Sequence, residues 1–460
     1  MMPTAISQEE VKQLIEQRRW TELKERLSGL LAPELADQIE ALDPAQRMLV
    51  FRVLPRAQAN EVFAYLEIPK QDELVRNLTN EDARQIVAGL TPDDRTALLE
   101  ELPAEVTQRL LSLLSPEDLK EARTLLGYPE ESVGRLMTPD YVAIREGWTI
   151  QQALDHIRKH GRDAETVNMI YVVDDRGKLI DDLRLRQILL ADPRATVSSL
   201  MDHNFFALRA TDDREVAVRM MKQYDRVALP VVDSDGILLG IVTSDDILDV
   251  AEEEATEDIQ KMGGMEALDS AYLETPFFQM VRKRGSWLSA LFLGEMLTAT
   301  AMGYFQNEIA RAVVLALFIP LIISSGGNSG AQAASLVIRS MALEEVRLRD
   351  WWRVMQREIA AGLALGGILG SIAMLRILLW PNRQVVYGPH YLRVALTVSL
   401  SLLGVVTWGT LAGSMLPFVF RRLGFDPAVS SSPFVATLVD VTGIIIYFTV
   451  ALFTLRGALL

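Results

Sequence analysis

Residues 433–455 read PFVATLVDVTGIIIYFTVALFTL, an apolar run that contains a single acidic residue, Asp440. A helix needs about 20 predominantly apolar residues to cross a bilayer, so this run predicts a membrane span. Four further runs precede it, at 287–305, 309–338, 359–380 and 395–420. Buried helices of a large soluble protein are the alternative, but five such runs within the last 179 residues favour a membrane domain.

Basic residues indicate how the spans are oriented, because cytoplasmic loops are enriched in Lys and Arg. Three segments are basic: the one before the first span, the second-to-third loop and the fourth-to-fifth loop. With five spans, all three lie on one side of the membrane. The prediction is a multi-pass protein of a bacterial plasma membrane, with a cytoplasmic N-terminus and the C-terminus outside. The basic residues are Arg282, Lys283, Arg284, Arg339, Arg347, Arg349, Arg353, Arg357, Arg421 and Arg422.

Charge is divided unequally along the chain. Residues 1–281 hold 53 acidic and 31 basic residues, a net charge of −22, whereas residues 282–460 hold 8 and 15, a net of +7. Such an acidic module should repel nucleic acid and attract cations, although solubility alone is the usual reason for an acidic excess. The chain has no cysteine, so oxygen ligands and hard ions such as Mg²⁺, Ca²⁺ or Mn²⁺ are favoured. No basic segment followed by an apolar run begins the chain, which predicts no signal peptide.

A repeat fills residues 1–127. A leucine followed by a helix-start signal recurs there, mostly at steps of 12 residues. Proline just after Asp, Thr or Ser is typical of a helix start, so short stacked helices in a superhelical solenoid are predicted. A protein-binding scaffold is the alternative function of such a repeat. The repeated leucines are Leu42, Leu54, Leu78, Leu90, Leu102 and Leu114.

A second repeat, of mixed α/β character, fills residues 128–250. Its two copies begin 64 residues apart, at Leu136 and Leu200, and each has a strand that ends in an aspartate-containing turn. The repeat resembles a tandem pair of CBS domains, a family that commonly binds adenine nucleotides such as ATP. In that family the position of Thr243 meets phosphate and that of Asp246 meets ribose. The first copy carries Arg184 and Gln187 at these places, so at most one nucleotide site is expected.

An acidic segment follows the second copy and leads to the first span. Glu254, Glu257 and Asp258 share one face of the helix predicted for this segment. Carboxylates at that spacing repel one another, and a bound cation or a basic partner would relieve the repulsion. A solvated acidic helix is the alternative.

Two acidic residues fall within the predicted spans, Glu295 and Asp440. An aspartate inside a span costs roughly 2.5–3.5 kcal/mol on insertion scales, so it faces other helices, water or an ion. Thr437 lies one turn before Asp440, and the small residues Ala436 and Gly443 share nearly the same face. This face could admit a hydrated ion, and a structural hydrogen bond from Asp440 is the alternative.

The end of the second span, residues 320–332, reads PLIISSGGNSGAQ. Proline and paired glycines are expected to interrupt the helix, and irregular backbone at membrane depth persists only where protein or a water-filled cavity satisfies it. Asn328 and Gln332, four residues apart, supply neutral oxygens that could line such a cavity. A simple loop end is the alternative.

The stretches at 320–335 and 433–447, together with the order of the segments, resemble the MgtE family of Mg²⁺ channels and transporters. The predicted fold is multidomain: an all-α N-terminal superhelical solenoid, an α/β tandem CBS pair, a connecting helix and a five-helix transmembrane domain. The predicted ranges are 1–127, 128–250, 251–281 and 282–460.

The resemblance implies a homodimer in a lipid bilayer with a pore between subunits. The pore carboxylate of the family matches Asp440, its flanking position matches Ala436, and a further pore-lining position matches Ser432. The family also has a cytoplasmic Mg²⁺ sensor that holds the pore shut when the ion is abundant. Its acidic positions match Asp93, Asp94, Asp213, Glu215, Asp225, Asp246, Asp249, Glu254, Glu257 and Asp258.

Three functions remain open from the sequence: a regulated Mg²⁺ channel, a transporter of another dication such as Mn²⁺ or Co²⁺, and a membrane-anchored sensor without transport. An enzyme is not expected, because no nucleophile is accompanied by a base.

Overall fold

A computed structural model describes residues 6–268, 272–273 and 275–456. The chain forms two compact units, Met1–Glu252 and Glu253–Leu460. The predicted domain limits at residues 1 and 460, and four residues of the predicted range 251–281, lie outside the described residues.

The first part of the chain is all-α and consists of ten short helices. Three of them begin as predicted, because Asp43, Thr79 and Ser115 each accept a hydrogen bond from the backbone N–H three residues ahead, at 2.9, 3.2 and 3.1 Å. The helices are α1 Gln8–Glu16, α2 Trp20–Leu27, α3 Ala32–Glu40, α4 Pro44–Val53, α5 Arg56–Ala64, α6 Ile68–Asn77, α7 Asn80–Gly89, α8 Pro92–Glu101, α9 Ala104–Leu111 and α10 Pro116–Leu125.

These helices stack in two rows. Helices α3, α5, α7 and α9 contact one another in sequence, and so do α4, α6, α8 and α10. The repeated leucines at positions 42, 54, 78, 90 and 102 are buried in the shared core. The 12-residue repeat therefore sets the spacing of the helices, because each repeat places its leucine at the same depth in the stack.

Two small mixed sheets follow, and each copy of the second repeat supplies one. In both sheets the first strand runs parallel to the central strand and the third strand runs antiparallel to it. The elements are α11 Val133–Leu136, β1 Ala143–Arg145, α12 Ile150–His160, β2 Met169–Val173, β3 Leu179–Arg184, α13 Leu185–Leu190, β4 Leu208–Arg209, α14 Arg214–Tyr224, β5 Ala228–Val232 and β6 Leu238–Thr243.

The two copies are joined through their hairpin turns and through Asp181. The N–H of Leu179 donates to the carbonyl of Gly236 at 3.0 Å, and the N–H of Leu238 donates to that of Gly177 at 3.0 Å. The buried Asp181 carboxylate accepts the N–H groups of Asp202 and His203 at 2.9 and 3.1 Å. Asp181 therefore holds the segment that enters the second copy.

Helix α15, Ser244–Met262, begins directly after β6 and crosses the predicted domain boundary at residue 250. It ends at Gly263-Gly264, where Gly264 has a φ of +75° that most other residues avoid. The predicted connecting helix, 251–281, is therefore too long at its C-terminal end. The next helix begins only at Phe277.

The second unit contains long apolar helices. Within its described residues, four segments have the length and composition of membrane spans: Val313–Ala342, Leu348–Leu379, Tyr391–Arg422 and Ser432–Leu455. The predicted first span lies in α16, which is 28 residues long but less apolar because it contains Glu295 and several small polar residues. The helices are α16 Phe277–Tyr304, α17 Gln306–Arg311, α18 Ile319–Ala342, α19 Trp351–Leu379, α20 Arg383–Tyr387, α21 Tyr391–Arg422 and α22 Ser432–Leu455.

The predicted interruption at residues 320–332 is wrong. Helix α18 runs without a break through Gly326, Gly327 and Gly330, because Pro320 occupies its first turn, where no intrahelical N–H is needed. The break lies earlier, at Ala312 and the 3₁₀ turn Val313–Phe318.

The glycines of α18 serve close packing instead. A β-carbon on Gly409 of α21 would lie 2.4 Å from the carbonyl oxygen of Gly326, and one on Gly413 would lie 2.0 Å from that of Gly330. Helices α18 and α21 thus touch backbone to backbone, as small residues allow in membrane helices.

Candidate functional site

Asp440 lies at the start of the third turn of α22 and is partly exposed. The helix begins at Ser432, and the hydroxyl of Ser431 caps it by accepting the N–H of Phe434 at 3.4 Å. Among the described residues, no hydrogen bond or ion pair involves the Asp440 carboxylate. The structural hydrogen bond considered as the alternative is therefore not formed there.

Helix α18 faces this carboxylate with a glycine. A β-carbon on Gly327 would lie 3.5 Å from Cβ of Ala436 and 3.9 Å from Oδ1 of Asp440. Ala436 and Asp440 are thus next to each other against one spot of α18. Because α18 and α22 meet here through a glycine and an alanine, there is room beside the carboxylate.

An exposed polar stripe follows Gly327 on α18. Ser324, Asn328 and Gln332 recur every fourth residue, and all three are exposed. The amide of Asn328 donates to the hydroxyl of Ser324 at 3.4 Å. Polar groups at membrane depth face protein, a cavity or water rather than lipid, so this stripe and Asp440 are expected to face one of these.

Three other predicted pore residues lie elsewhere on α22. Gly443 is buried, and a β-carbon on it would lie 3.2 Å from Cγ1 of Val405 in α21, so it does not line the exposed face. Thr437 faces Gly294 of α16 and donates its hydroxyl to the carbonyl of Pro433 at 3.0 Å. Ser432 is the partly exposed first residue of the helix.

Sequence reasoning missed two residues near Asp440, Ser324 and Gly327. The four-residue spacing from Asn328 back to Ser324 could have indicated the first. Gly327 had been interpreted as a helix breaker, and its contact with α22 is a tertiary feature that no local pattern reports.

A cluster of carboxylates lies within the first unit, where Asp93 and Asp94 in the first turn of α8 approach Asp246 of α15. Burial and the negative charge of Asp93 raise the pKa of Asp246 to about 8, although the Thr243 hydroxyl bonds its carboxylate. Burial and Asp93 raise the pKa of Asp94 to about 6. Burial also raises the pKa of Asp93, and one of its carboxylate oxygens is buried without a partner among the described residues.

Three further acids, Asp140, Glu165 and Asp245, extend this cluster. The pKa of Glu165 is raised to about 7 by burial and by the charges of Asp93 and Asp245. The pKa of Asp140 is raised by burial and by Asp93. Asp249, one turn further along α15, has its pKa raised by burial and by Asp245. Glu165 and Asp140 belong to the first copy of the repeat, far from the predicted sensor residues in sequence.

The predicted sensor residues of α14 lie apart from one another. Asp213 caps the N-terminus of α14 and accepts the N–H of Glu215 at 2.8 Å. Asp225 ends the same helix, 12 residues later, in a left-handed conformation with a φ of +47°. These positions stay predictions for metal binding.

The acidic residues of α15 in the second unit have a basic neighbour. The Lys261 ammonium forms ion pairs with Glu257 and with Asp426, the latter at 2.8 Å. Burial and the charge of Asp426 raise the pKa of Asp258. Asp426 precedes the 3₁₀ turn Pro427–Val429, so this contact ties α15 to the segment before α22.

Within the described parts of the chain, no three acidic or histidine side chains converge closely enough to hold a metal ion as they stand. The carboxylates of the first unit are near enough to repel one another but remain spread. Like charges in a poorly solvated place keep apart unless a cation or a proton compensates them.

The predicted nucleotide residues of the second copy are in contact. Thr243 at the end of β6 donates its hydroxyl to Oδ2 of Asp246 at 2.6 Å. In the first copy Gln187 instead accepts the backbone N–H of Arg184 at 2.8 Å, so its side chain caps a helix. The hydroxyl and carboxylate expected for phosphate and ribose thus lie together in the second copy.

Comparison with known proteins finds three family models that match parts of this chain. A family described as "Divalent cation transporter", MgtE, matches residues 319–450, the MgtE intracellular N domain matches 31–131, and CBS domains match 133–193 and 197–253. The magnesium transporter MgtE of Thermus thermophilus is 40% identical over 432 residues, 93% of this chain and 94% of that one. The magnesium transporter MgtE of Enterococcus faecalis is 33% identical over 341 residues, 74% of this chain and 73% of that one.

A solved structure resembles about half of the chain. The crystal structure of the cytosolic domain of the Mg²⁺ channel MgtE in complex with ATP is 38% identical, with a TM-score of 0.51. The match covers 53% of this chain and 100% of the chain in the crystal structure.

Proposed function

Because this chain belongs to the MgtE family of divalent cation transporters, a family of membrane proteins and not of enzymes, we propose that it carries Mg²⁺ across a bacterial plasma membrane. The observation that carries this proposal is Asp440, a carboxylate at membrane depth without a partner among the described residues. It lies beside Ala436 and Gly327, and the exposed amides of α18 continue the polar surface.

The chemistry of this wall suits Mg²⁺. The ion dehydrates reluctantly and is usually held by one or two carboxylates with several waters retained. Asp440 of each of two copies would supply two carboxylates, and the neighbouring amides and hydroxyls accept or donate hydrogen bonds to the water shell. Two facing carboxylates repel each other without a cation, which favours a dication over a monovalent ion.

We further propose five spans in each subunit of a homodimer, with α16 as the first span. The 28 residues of α16 reach about 42 Å, enough to cross a bilayer. An odd number of spans places the C-terminus outside when the N-terminal domain is intracellular, in agreement with the basic segments.

Cytoplasmic Mg²⁺ would close the path through the acidic cluster of the first unit. The raised pKa values of Asp94, Glu165 and Asp246 indicate that bringing these charges together without a cation is unfavourable. Bound Mg²⁺ would compensate them and favour a compact, closed state. The affinity difference for Mg²⁺ between the two states limits how strongly this binding can bias the pore.

ATP is a second proposed ligand, at Thr243 and Asp246. A hydroxyl next to a carboxylate at the end of a strand fits a ribose and phosphate, and the related cytosolic domain was crystallised with ATP. The negative charges of Asp93 and Asp94 disfavour a triphosphate nearby, so binding should be stronger when Mg²⁺ is present. Asp246 would then belong both to the Mg²⁺ site of the acidic cluster and to the ATP site.

Mg²⁺ uptake by vesicles containing Asp440→Asn tests the transport proposal. A dication about 5 Å from a carboxylate is attracted by roughly 6–7 kcal/mol at an effective dielectric constant of about 20, before hydration is subtracted. Losing one fifth of that attraction, about 1.4 kcal/mol, would lower the occupancy of the path by Mg²⁺ about tenfold and reduce the flux to the same extent. Glu308→Gln is the matched control, because it removes one carboxylate of the same unit, in the first turn of α17.

Equal uptake by the Asp440→Asn protein and the unaltered chain would overturn the pore assignment. Uptake of Mn²⁺ or Co²⁺ that Mg²⁺ does not inhibit would make the chain a transporter of another dication. Normal Mg²⁺ binding without flux in any vesicle would make it a sensor.

A further inference from the structure

A cleft of about 680 Å³ lies between the end of α15 and the start of α16. Its lining comes from α15, from the segment between the two helices and from α16, and it includes Gln260, Gly264, Tyr272, Arg284 and Leu288. All of them belong to the second unit. The cleft is at the cytoplasmic end of α16, where the proposed first span enters the membrane.

Specific contacts fix the walls of the cleft. The backbone N–H of Leu268 donates to the side chain of Gln260 at 2.7 Å, and the hydroxyl of Ser286 donates to Glu266 at 2.8 Å. The Lys283 ammonium donates to the carbonyl of Ala267. The segment after Gly264 is thus held against the first turns of α16, and the cleft is a feature of folded chain.

Arg284 gives the cleft a positive charge that no described residue neutralises. Its side chain is exposed and, among the described residues, takes part in no ion pair or hydrogen bond. No carboxylate belongs to the described lining of the cleft. Further back on α15, by contrast, Glu257 pairs with Lys261. The cleft is therefore a place for an anion in an otherwise acidic segment of the chain.

A mainly apolar groove continues the cleft along α16. Leu288 lines both, and the groove, of about 670 Å³, passes Leu291 and Phe292 and ends at Glu295 and at Thr437 of α22. Phe292 is 66% exposed, although it lies at membrane depth. From Arg284 to Phe292 the helix rises about 12 Å, which is within the length of a lipid acyl chain in one leaflet.

We propose that this continuous surface is a binding site for an anionic phospholipid of the cytoplasmic leaflet. The phosphate lies at Arg284, with the amide of Gln260 within the same cleft, and one acyl chain follows Leu288 and Phe292. A free phosphate would leave the apolar groove unused, and a zwitterionic lipid would bring a second cation towards Arg284. The lipid would touch the end of α15 and, through the groove, the helix that carries Asp440.

Lipid retention by the purified full-length protein tests this site. Delipidated protein is titrated with phosphatidylglycerol or phosphatidylcholine, and bound lipid is counted by native mass spectrometry. The unaltered chain should retain phosphatidylglycerol in preference. Arg284→Gln should raise the half-saturating concentration at least fivefold, since each basic side chain at a membrane surface attracts anionic lipid to about that extent.

Arg282→Gln is the matched control, because Arg282 is exposed two residues away but does not line the cleft. It removes the same surface charge, so the difference between the two variants reports the cleft itself. Arg284→Lys should retain most of the preference, which distinguishes a charge effect from misfolding.

Three results would overturn the proposal. One is equal retention of the two lipids, and another is equal weakening by Arg284→Gln and Arg282→Gln. The third concerns a second copy of the chain. Because the protein has no cysteine, Leu288→Cys introduces a single thiol, and rapid disulfide formation between two copies would mean that a second subunit fills the groove.

Discussion

Replacing Gly413 with alanine should lower the apparent Tm of the purified protein. A β-carbon at this position would lie 2.0 Å from the carbonyl oxygen of Gly330, whereas ordinary contacts begin at 3.4 Å. Helices α18 and α21 would have to separate by about 1.4 Å, because the obstructing atom belongs to the backbone and cannot rotate away. Overpacking of this kind costs about 1–3 kcal/mol.

The assay is thermal unfolding in detergent, followed by intrinsic tryptophan fluorescence. For a unit of this size, about 1 kcal/mol corresponds to roughly 2–4 °C, so a decrease of about 2–12 °C is expected. Gly367→Ala is the matched control, since a β-carbon at Gly367 in α19 meets nothing within 4 Å. Alanine is the better helix former there, so this variant should be at least as stable as the unaltered chain.

A Gly413→Ala protein with an unchanged Tm would refute the backbone contact between α18 and α21. A similar loss of stability in Gly367→Ala would show that glycine is needed for some reason other than close packing. Because α18 also carries Gly327 and the polar stripe, the destabilised variant should transport Mg²⁺ more slowly as well.

Three more outcomes are expected. Without divalent ions, the apparent Tm of the first unit should fall by a few degrees as pH rises from about 4 to about 8. The raised pKa values of Asp94 and Asp246 mean that the folded state binds more protons than the unfolded state in this window. Addition of Mg²⁺ at about pH 8 should restore the Tm. The Asp94→Asn Asp246→Asn double variant should need less Mg²⁺ for protection from trypsin, and protection that still requires as much Mg²⁺ would argue against charge compensation. Arg47→Met should cost about 2–4 kcal/mol, since three carbonyl groups bonded at 2.9–3.3 Å lose their donor, whereas Arg52→Met, which loses one exposed bond, should change the Tm little.

Local signals explain how much of the fold could be predicted. The helix starts at Pro44 and Pro116 follow from a capping residue and a proline that are adjacent in the sequence. The apolar runs identify the spans because each run is long enough to cross a bilayer, so no information from the rest of the chain is needed. The CBS resemblance rests on a repeat of strand and turn, and in the structure each copy forms one three-stranded sheet.

The parts that sequence reasoning did not predict are tertiary. Gly443 shares a helical face with Ala436, but α22 is contacted by α16, α18 and α21, and periodicity does not say which small residue meets which helix. The paired glycines of α18 resemble a helix break in sequence, but in the structure Gly326 packs against α21 and Gly327 packs against α22. The fold of the first CBS copy brings Glu165 into the acidic cluster, and no sequence motif near Glu165 predicts that position.

The contrast between Asp426 and Asp440 bears on transport. Both are acids of the second unit, and one is neutralised by an internal cation, Lys261, while the other has no partner among the described residues. A tethered ammonium occupies a carboxylate permanently, which suits a joint between α15 and the segment before α22. A carboxylate that must attract Mg²⁺ and release it has to lack such a partner, because a competing cation on the chain would always be present. Asp440 therefore has the chemistry that an ion path requires, and Asp426 has the chemistry of a structural link.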